Sequence, residues 1–106
     1  MVERLNVDEI PEARLAQEKA AARELRKSRW WQNRITNACV CYYCGVSLKA
    51  SEATMDHIVP LSRGGRSIRG NVAPACKTCN THKRDLTAIE WETFLTNRKK
   101  EIHQKG

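Results

Sequence analysis

Four cysteines in two close pairs are the first residues of this sequence whose types and spacing could do chemistry. Cys41 and Cys44 form one Cys-x-x-Cys pair, and Cys76 and Cys79 form the other. Zinc prefers four ligands in a tetrahedron, and four thiolates make a closed structural site. A redox role is the alternative, but a thioredoxin-like motif needs a single pair beside a βαβ pattern, which this sequence lacks. The pairs therefore predict one structural zinc ion.

The cysteine count and the absence of targeting segments point to a reducing compartment. The chain has five cysteines, and this odd number argues against a disulfide framework. No apolar stretch resembles a signal peptide or a bilayer-crossing helix, so a cytoplasmic location is expected. The fifth cysteine, Cys39, has the wrong spacing to Cys44 to replace Cys41 as a ligand. It is predicted to be a small buried apolar residue.

A second set of chemically active residues lies between and just after the cysteine pairs. Asp56 precedes His57, Asn71 follows further along, and Asn80 stands directly after the last cysteine. Carboxylate and amide oxygens suit a hard divalent ion such as magnesium or manganese. A neutral imidazole can take a proton from water near pH 7. A lone histidine is more often an ordinary surface or core residue, but this constellation favours metal-assisted phosphodiester cleavage.

The order and spacing of these residues resemble those of a known family. The string Asp56-His57-Ile58-Val59-Pro60 is followed by Gly64-Gly65, by Asn71 and by Cys76-x-x-Cys79-Asn80-x-x-Lys83. This pattern is similar to that of the HNH endonucleases, and in particular to the four-cysteine zinc subgroup of the ββα-metal (His-Me finger) nucleases. The resemblance covers about residues 41–85. It implies an α+β fold in which a zinc-clamped ββα-metal finger carries a long N-terminal helix and a C-terminal helix.

The same resemblance implies a role for each matching residue. His57 corresponds to the general base that removes a proton from water. Asp56 and Asn80 correspond to the ligands of one catalytic divalent ion, magnesium or manganese. Asn71 corresponds to a residue that fixes the loop and the general base, and Lys83 occupies the family's lysine position. The implied function is endonucleolytic hydrolysis of DNA phosphodiester bonds, with products that carry a 5′ phosphate.

Two details of this site stay open in the sequence. Consecutive strand residues point to opposite faces of a sheet, so Asp56 and His57 can serve one site only if the strand is distorted or strongly twisted. His82 lies two residues after Asn80 and is predicted to face elsewhere on its helix, as a solvent or phosphate contact. It is a minor candidate for the third ligand of the catalytic ion. His103 is given no role.

Charge favours a nucleic-acid partner. Nineteen basic residues against 12 acidic ones give a net charge of +7 and a pI near 9.5. An anionic membrane surface would also attract such a chain, but the site chemistry favours DNA. Trp30 and Trp31 could stack on a base, although at least one is predicted to anchor the helix in the core, against the zinc pair. Contacts with DNA phosphates are predicted for six basic residues: Arg63, Arg66, Arg69, Lys77, Lys83 and Arg84. For each of them except Lys83, a solvated basic loop without a phosphate contact is the alternative.

The sequence of the N-terminal third of the chain is typical of a helix. Asp8 is the predicted N-cap, and no glycine or proline interrupts residues 12–44, so one long helix is expected to end before the first cysteine pair. Its apolar stripe is thin, which suggests that it projects from the core or packs on a second copy of the chain or on a partner protein. Residues 1–38 are therefore assigned to a helical extension, and residues 39–106 to the nuclease domain with its C-terminal helix.

The elements after the first cysteine pair follow from short apolar runs and turn residues. Thr87 and Glu90 have the spacing of a capping box, which marks the start of a helix. Gly64 and Gly65 mark a loop between two strands. The predicted elements are a strand at 54–59, a strand at 71–75, a short helix that begins near 79 and reaches 85, and a C-terminal helix at 88–99.

Two other functions compete with the nuclease hypothesis. One is a non-catalytic zinc module that only binds nucleic acid, which the intact set of Asp56, His57 and Asn80 argues against. The other is a small redox or metal-storage protein, which the missing βαβ pattern disfavours.

Overall fold

The computed structural model describes residues 10–104, so the predicted N-cap at Asp8 lies outside the described part of the chain. Within it, helices accompany a two-stranded sheet, and the predicted α+β class is confirmed. No helix in this part is long and apolar enough to cross a bilayer. The elements are α1 (Glu12–Lys27), α2 (Arg29–Thr36), β1 (Thr54–His57), β2 (Val72–Ala75), α3 (Lys77–Asp85) and α4 (Ala88–Gln104).

The prediction of one long N-terminal helix is wrong, because the chain breaks at Ser28. The backbone of Ser28 is extended, and its N–H donates to the carbonyl of Leu25 at 3.1 Å, which ends α1. Its side-chain oxygen accepts the N–H of Trp31 at 3.2 Å. A serine in this arrangement is an N-cap, since it satisfies a donor that the new helix leaves without an intrahelical partner. Ser28 therefore closes one helix and opens the next.

The two strands lie where the sequence predicts them, with shorter ends. The N–H of Ile58 donates to the carbonyl of Asn71 at 2.9 Å, which fixes the antiparallel register of β1 and β2. Pro74 lies inside the second strand. A two-stranded sheet has only edge strands, where a residue without an N–H is tolerated. The carbonyl of Pro74 accepts the N–H of Tyr42 at 2.8 Å.

The described chain divides into two compact units. The first unit comprises described residues 10–32 and 57–73. Trp31 is only 3% exposed, which confirms that one of the two tryptophans anchors the helix in a core; its predicted contact with the zinc pair stays a prediction. The other buried apolar residues of this unit are Ile10, Ala22, Val72 and Ala73.

The second unit comprises described residues 33–56 and 74–104, and its core is built on the cysteine pairs. The predicted capping box of α4 is confirmed, because Thr87 N–H donates to the Glu90 carboxylate at 2.9 Å and Glu90 N–H donates to the Thr87 hydroxyl at 3.2 Å. Helix α4 continues to Gln104 rather than ending at Lys99. Ile102 packs against the cysteine core, which gives the last turns tertiary support. The boundary predicted between residues 38 and 39 stays a prediction.

The loop after β1 depends on two adjacent glycines. Gly64 has φ +91°, a left-handed conformation that favours glycine, and its carbonyl accepts the Arg14 guanidinium at 3.1 Å. Gly65 is buried, and its N–H donates to the carbonyl of Pro60 at 2.9 Å. A Cβ on Gly65 would lie 1.8 Å from the carbonyl oxygen of Val59, so this loop can close only around glycine.

We expect Gly65→Ala to destabilise the protein by about 3 kcal/mol or more, because the clash is with backbone that cannot rotate away. Gly70→Ala is the matched control, since a Cβ there meets nothing within 4 Å. Denaturant unfolding of both variants should show a lower unfolding midpoint than the wild type only for Gly65→Ala. Equal midpoints for the two variants would contradict this description of the loop.

Candidate functional site

The four cysteine sulfurs of the two pairs converge in the core of the second unit. They all lie within 4.8 Å of one another and all four residues are buried. The Sγ atoms of Cys44 and Cys76 are 3.9 Å apart. Zinc–sulfur bonds of about 2.3 Å in a tetrahedron place sulfurs about 3.8 Å apart. The donor set and its spacing therefore fit one thiophilic metal ion held by Cys41, Cys44, Cys76 and Cys79.

Each pair is shaped by the local backbone. In the first, the N–H of Gly45 donates to the carbonyl of Cys41 at 2.9 Å, and Gly45 has φ +80°, as the tight turn requires. In the second, Cys76 is the N-cap of α3, and its sulfur accepts the N–H of Cys79 at 3.3 Å. Because of this sulfur cap, α3 begins at Lys77 and not near Cys79 as predicted.

The side chain of Arg98, in α4, also reaches this cluster. Its guanidinium donates to the sulfur of Cys76 at 3.6 Å. Burial raises the pKa of Cys76, but hydrogen bonds from Cys79 and Arg98 outweigh burial and lower that pKa to about 7. Burial is the main cause that raises the pKa of Cys44 and of Cys79. A positive charge beside four thiolates offsets part of their mutual repulsion, so Arg98 supports metal binding.

Cys39 stands apart from the four. It is buried, as predicted, and does not belong to the described group of convergent metal-ligating atoms. Burial raises the pKa of its thiol, as expected for a small apolar residue in a core.

Asp56 lies in the second unit, where its carboxylate forms an ion pair with the ammonium group of Lys83. The residue is 8% exposed, and its Oδ2 accepts the ammonium of Lys83 at 2.9 Å and the hydroxyl of Tyr43. Burial, followed by this hydrogen bond, raises the pKa of Tyr43, so the phenol stays a donor. The Lys83 side chain is 18% exposed. A buried carboxylate that holds a cation has the chemistry of a hard-metal ligand. Lys83, predicted as a phosphate contact, lies against this carboxylate.

Asn80 presents its amide from the first turns of α3. Its Nδ2 donates to the hydroxyl of Thr54 at 3.3 Å, and that hydroxyl donates to the carbonyl of Ala75 at 2.8 Å. Because Nδ2 is engaged, the amide oxygen is the atom of Asn80 suited to a metal ion. The residue types of Asp56 and Asn80 suit a magnesium or manganese ion, and their joint binding of that ion stays a prediction.

His57 and Asn71 lie in the first unit. His57 Nε2 is 2.9 Å from the hydroxyl of Ser67. Asn71 Oδ1 accepts the N–H of Val59 at 2.8 Å, and its Nδ2 donates to the carbonyls of Val59 and Arg66 at 3.0 and 2.9 Å. Asn71 thus ties both ends of the glycine loop to each other, whereas its part in catalysis stays a prediction.

The other basic residues are more exposed than Lys83. Arg66 pairs with Glu18 at 3.6 Å, and the Arg69 guanidinium lies 5.3 Å from the centre of the Trp30 ring. Arg84 pairs with Asp85 at 3.9 Å. Arg63 and Lys77 are exposed.

His82 is engaged in packing. Its ring stacks on Phe94 with a centroid distance of 4.3 Å and an interplanar angle of 8°, and its Nδ1 is 2.9 Å from the carbonyl of Thr78. These contacts on α3 and α4 give His82 a structural task.

Four residues with clear contacts at these sites were not predicted: Glu18, Tyr43, Ser67 and Arg98. Tyr43 lies inside the first cysteine pair, and that position is the only sequence signal for any of them. The other three reach their partners through tertiary contacts that no local pattern encodes.

Comparison with known proteins covers the segment that contains the cysteine pairs, Asp56, His57 and Asn80. Residues 41–90 match the model of a family described as HNH endonuclease. A 54-residue segment is 35% identical to the CRISPR-associated endonuclease Cas9 of Actinomyces naeslundii and 37% identical to that of Corynebacterium diphtheriae. Each match covers 50% of this chain and 5% of the relative. The resemblance drawn from the sequence is confirmed: residues 41–90 of this chain match the model of the HNH endonuclease family.

We expect the purified protein to hold about one thiolate-bound metal ion per chain. Cys76→Ser should lose most of that ion, because the variant removes one of four converging sulfurs. Cys39→Ser is the matched control, since it alters a buried cysteine outside the group, and it should keep the ion. Elemental analysis after gel filtration measures both. Equal metal content in the two variants would rule out the four-sulfur site.

Proposed function

We propose that this protein is an endonuclease that hydrolyses DNA phosphodiester bonds with one divalent ion, magnesium or manganese, and a histidine general base. The observation that carries the proposal is the buried Asp56 carboxylate, ion-paired with Lys83 and directly before His57 in the chain. The family match over residues 41–90 supports the reaction class.

In this mechanism His57 takes a proton from a water molecule. The water oxygen attacks phosphorus as the bond from phosphorus to the 3′ oxygen breaks, and the leaving oxygen takes a proton from solvent. The products carry a 5′ phosphate and a 3′ hydroxyl. Asp56 and Asn80 would hold the divalent ion, which would supply charge neutralisation at the phosphate and the leaving oxygen. Lys83 and Tyr43 hold the Asp56 carboxylate in place.

We assign zinc to the four-sulfur site as a structural metal. A closed set of four buried thiolates leaves no position for substrate, which separates this ion from the catalytic one. Its task is to tie the segment of the first cysteine pair to the start of α3. Arg98 reduces the net negative charge of that complex.

The basic residues are assigned to the phosphate backbone of DNA. The net charge of +7 and the exposure of Arg63, Lys77 and Arg84 support salt-sensitive, sequence-independent contacts. Arg66 and Arg69 add positive charge on the loop that follows β1, and Lys83 adds it beside Asp56.

We expect His57→Ala to lower the rate of plasmid cleavage by about two to four powers of ten, the range for a lost acid–base group. Zinc content and DNA binding should be unchanged. His82→Gln is the matched control, because it alters a histidine that packs on Phe94, and it should cut nearly as fast as the wild type.

Asp56→Asn and Asn80→Ala should raise the magnesium concentration needed for any activity that survives. Asparagine at position 56 keeps the size of the buried group, so this variant tests charge rather than packing. If His57→Ala cuts like the wild type while His82→Gln is inactive, the roles of the histidines are reversed. A wild type that binds DNA but never cuts it would support the non-catalytic zinc module.

A further inference from the structure

The partner of His57 is itself held by helix α1. Ser67 is buried, and its backbone N–H donates to the Glu18 carboxylate at 2.6 Å. Its hydroxyl donates to the backbone carbonyl of Glu18, also at 2.6 Å. The same hydroxyl oxygen lies 2.9 Å from His57 Nε2. Glu18, Ser67 and His57 thus form a continuous hydrogen-bonded chain in the first unit.

The proton count of Ser67 decides the direction of its bond to His57. A serine hydroxyl has one proton and two acceptor lone pairs. The 2.6 Å separation from a carbonyl oxygen, which has no proton, requires the hydroxyl proton to lie between those two oxygens. The serine oxygen can then only accept from His57, so Nε2 of the imidazole carries the hydrogen.

We propose that Ser67, fixed by Glu18, is the positioning residue that sets the tautomer of His57 and makes Nδ1 the atom that takes the proton. The Nε2–H bond to Ser67 persists after Nδ1 is protonated, so the imidazolium and the neutral ring are held in one orientation. Ser67 does not touch the reacting atoms. The role of Nδ1 as proton acceptor rests on the proposed nuclease function. The position of the hydrogen on Nε2 follows from the hydrogen bonds of Ser67 alone.

Part of this support comes from outside the family segment. Ser67 lies in the loop after β1, but Glu18 lies in α1, outside residues 41–90 that match the family. Glu18 is well placed for the task, since its side chain is 12% exposed and also pairs with Arg66 at 3.6 Å. The N-terminal helix therefore contributes to the orientation of the general base.

The tautomer can be measured on the 106-residue chain without any assay of activity. Long-range proton–nitrogen correlation spectra distinguish a protonated ring nitrogen from an unprotonated one. The sequence has three histidines, so His82→Gln and His103→Gln variants assign the signals of His57. Above the pH at which His57 titrates, we expect the hydrogen on Nε2 in the wild type and in Ser67→Thr, which keeps a hydroxyl. In Ser67→Ala we expect a mixture of tautomers.

A wild-type His57 with its hydrogen on Nδ1 would overturn the proposal, and so would an unchanged tautomer in Ser67→Ala. The wild-type spectrum decides the question even if Ser67→Ala fails to fold.

Cleavage rates test the link between this tautomer and the reaction. Ser67→Ala should lower kcat about three- to tenfold, the effect expected for one neutral hydrogen bond, with KM unchanged. Ser67→Thr should restore the rate, and the exposed loop residue Ser62 provides the control Ser62→Ala. If Ser67→Ala shifts the tautomer and cuts at the wild-type rate, the assignment of Nδ1 as the base is overturned. A wild type that never cuts DNA would contradict the proposed function. The tautomer of His57 is tested separately, by the proton–nitrogen correlation spectrum.

Discussion

The convergence of four buried cysteine sulfurs is the constraint on which the second unit depends. These atoms form the buried centre of a small core, and the larger apolar side chains that pack against it are only partly buried. In zinc-finger peptides a structural zinc contributes about 10–16 kcal/mol of apparent binding energy at pH 7, which matches or exceeds the total stability of about 5–15 kcal/mol of an ordinary domain. A zinc ion at these four sulfurs would therefore decide whether this unit folds. Asp56 and Asn80 belong to the same unit, and Asn80 lies in α3, whose N-cap is Cys76.

The family segment is supported by helices on both of its flanks. In the second unit, α4 covers the cysteine core with Trp91, Phe94 and Ile102, and Arg98 places a positive charge at one sulfur. In the first unit, α1 supplies Glu18, whose carbonyl accepts the hydroxyl of Ser67, and the Ser67 oxygen is hydrogen-bonded to His57. Glu18 and Arg98 both lie outside residues 41–90. The matched segment contains the residues to which catalysis is assigned in the proposed function, and the flanking helices contact the cysteine cluster and Ser67.

Much of this architecture could be predicted because it depends on short-range rules. The cysteine spacing, the capping box of Thr87 and Glu90, and the glycine pair each encode their geometry within a few residues. The break at Ser28 was missed because helix periodicity continues across it, and only a cap bond shows that the chain turns. Helix α4 was placed too short because tertiary contacts of Ile102 were not visible in the sequence.

The remaining site contacts could not be predicted, for a different reason. Glu18 and Ser67 are 49 residues apart, and Asp56 and Lys83 are 27 apart. Such pairs come into contact only after the chain has folded, and no local sequence pattern around either residue predicts the contact. Lys83 illustrates the point, since its position predicts a phosphate contact while its ammonium binds a buried carboxylate.

The central claim is that the folded, zinc-loaded chain hydrolyses DNA with a second, hard metal ion. Supercoiled plasmid incubated with the zinc-loaded protein, with and without added magnesium or manganese, tests it most directly. We expect nicked or linear DNA with 5′ phosphate ends only when the divalent ion is added. Equal cleavage without it, or no cleavage at any concentration of either ion by a folded protein that binds DNA, would contradict the claim.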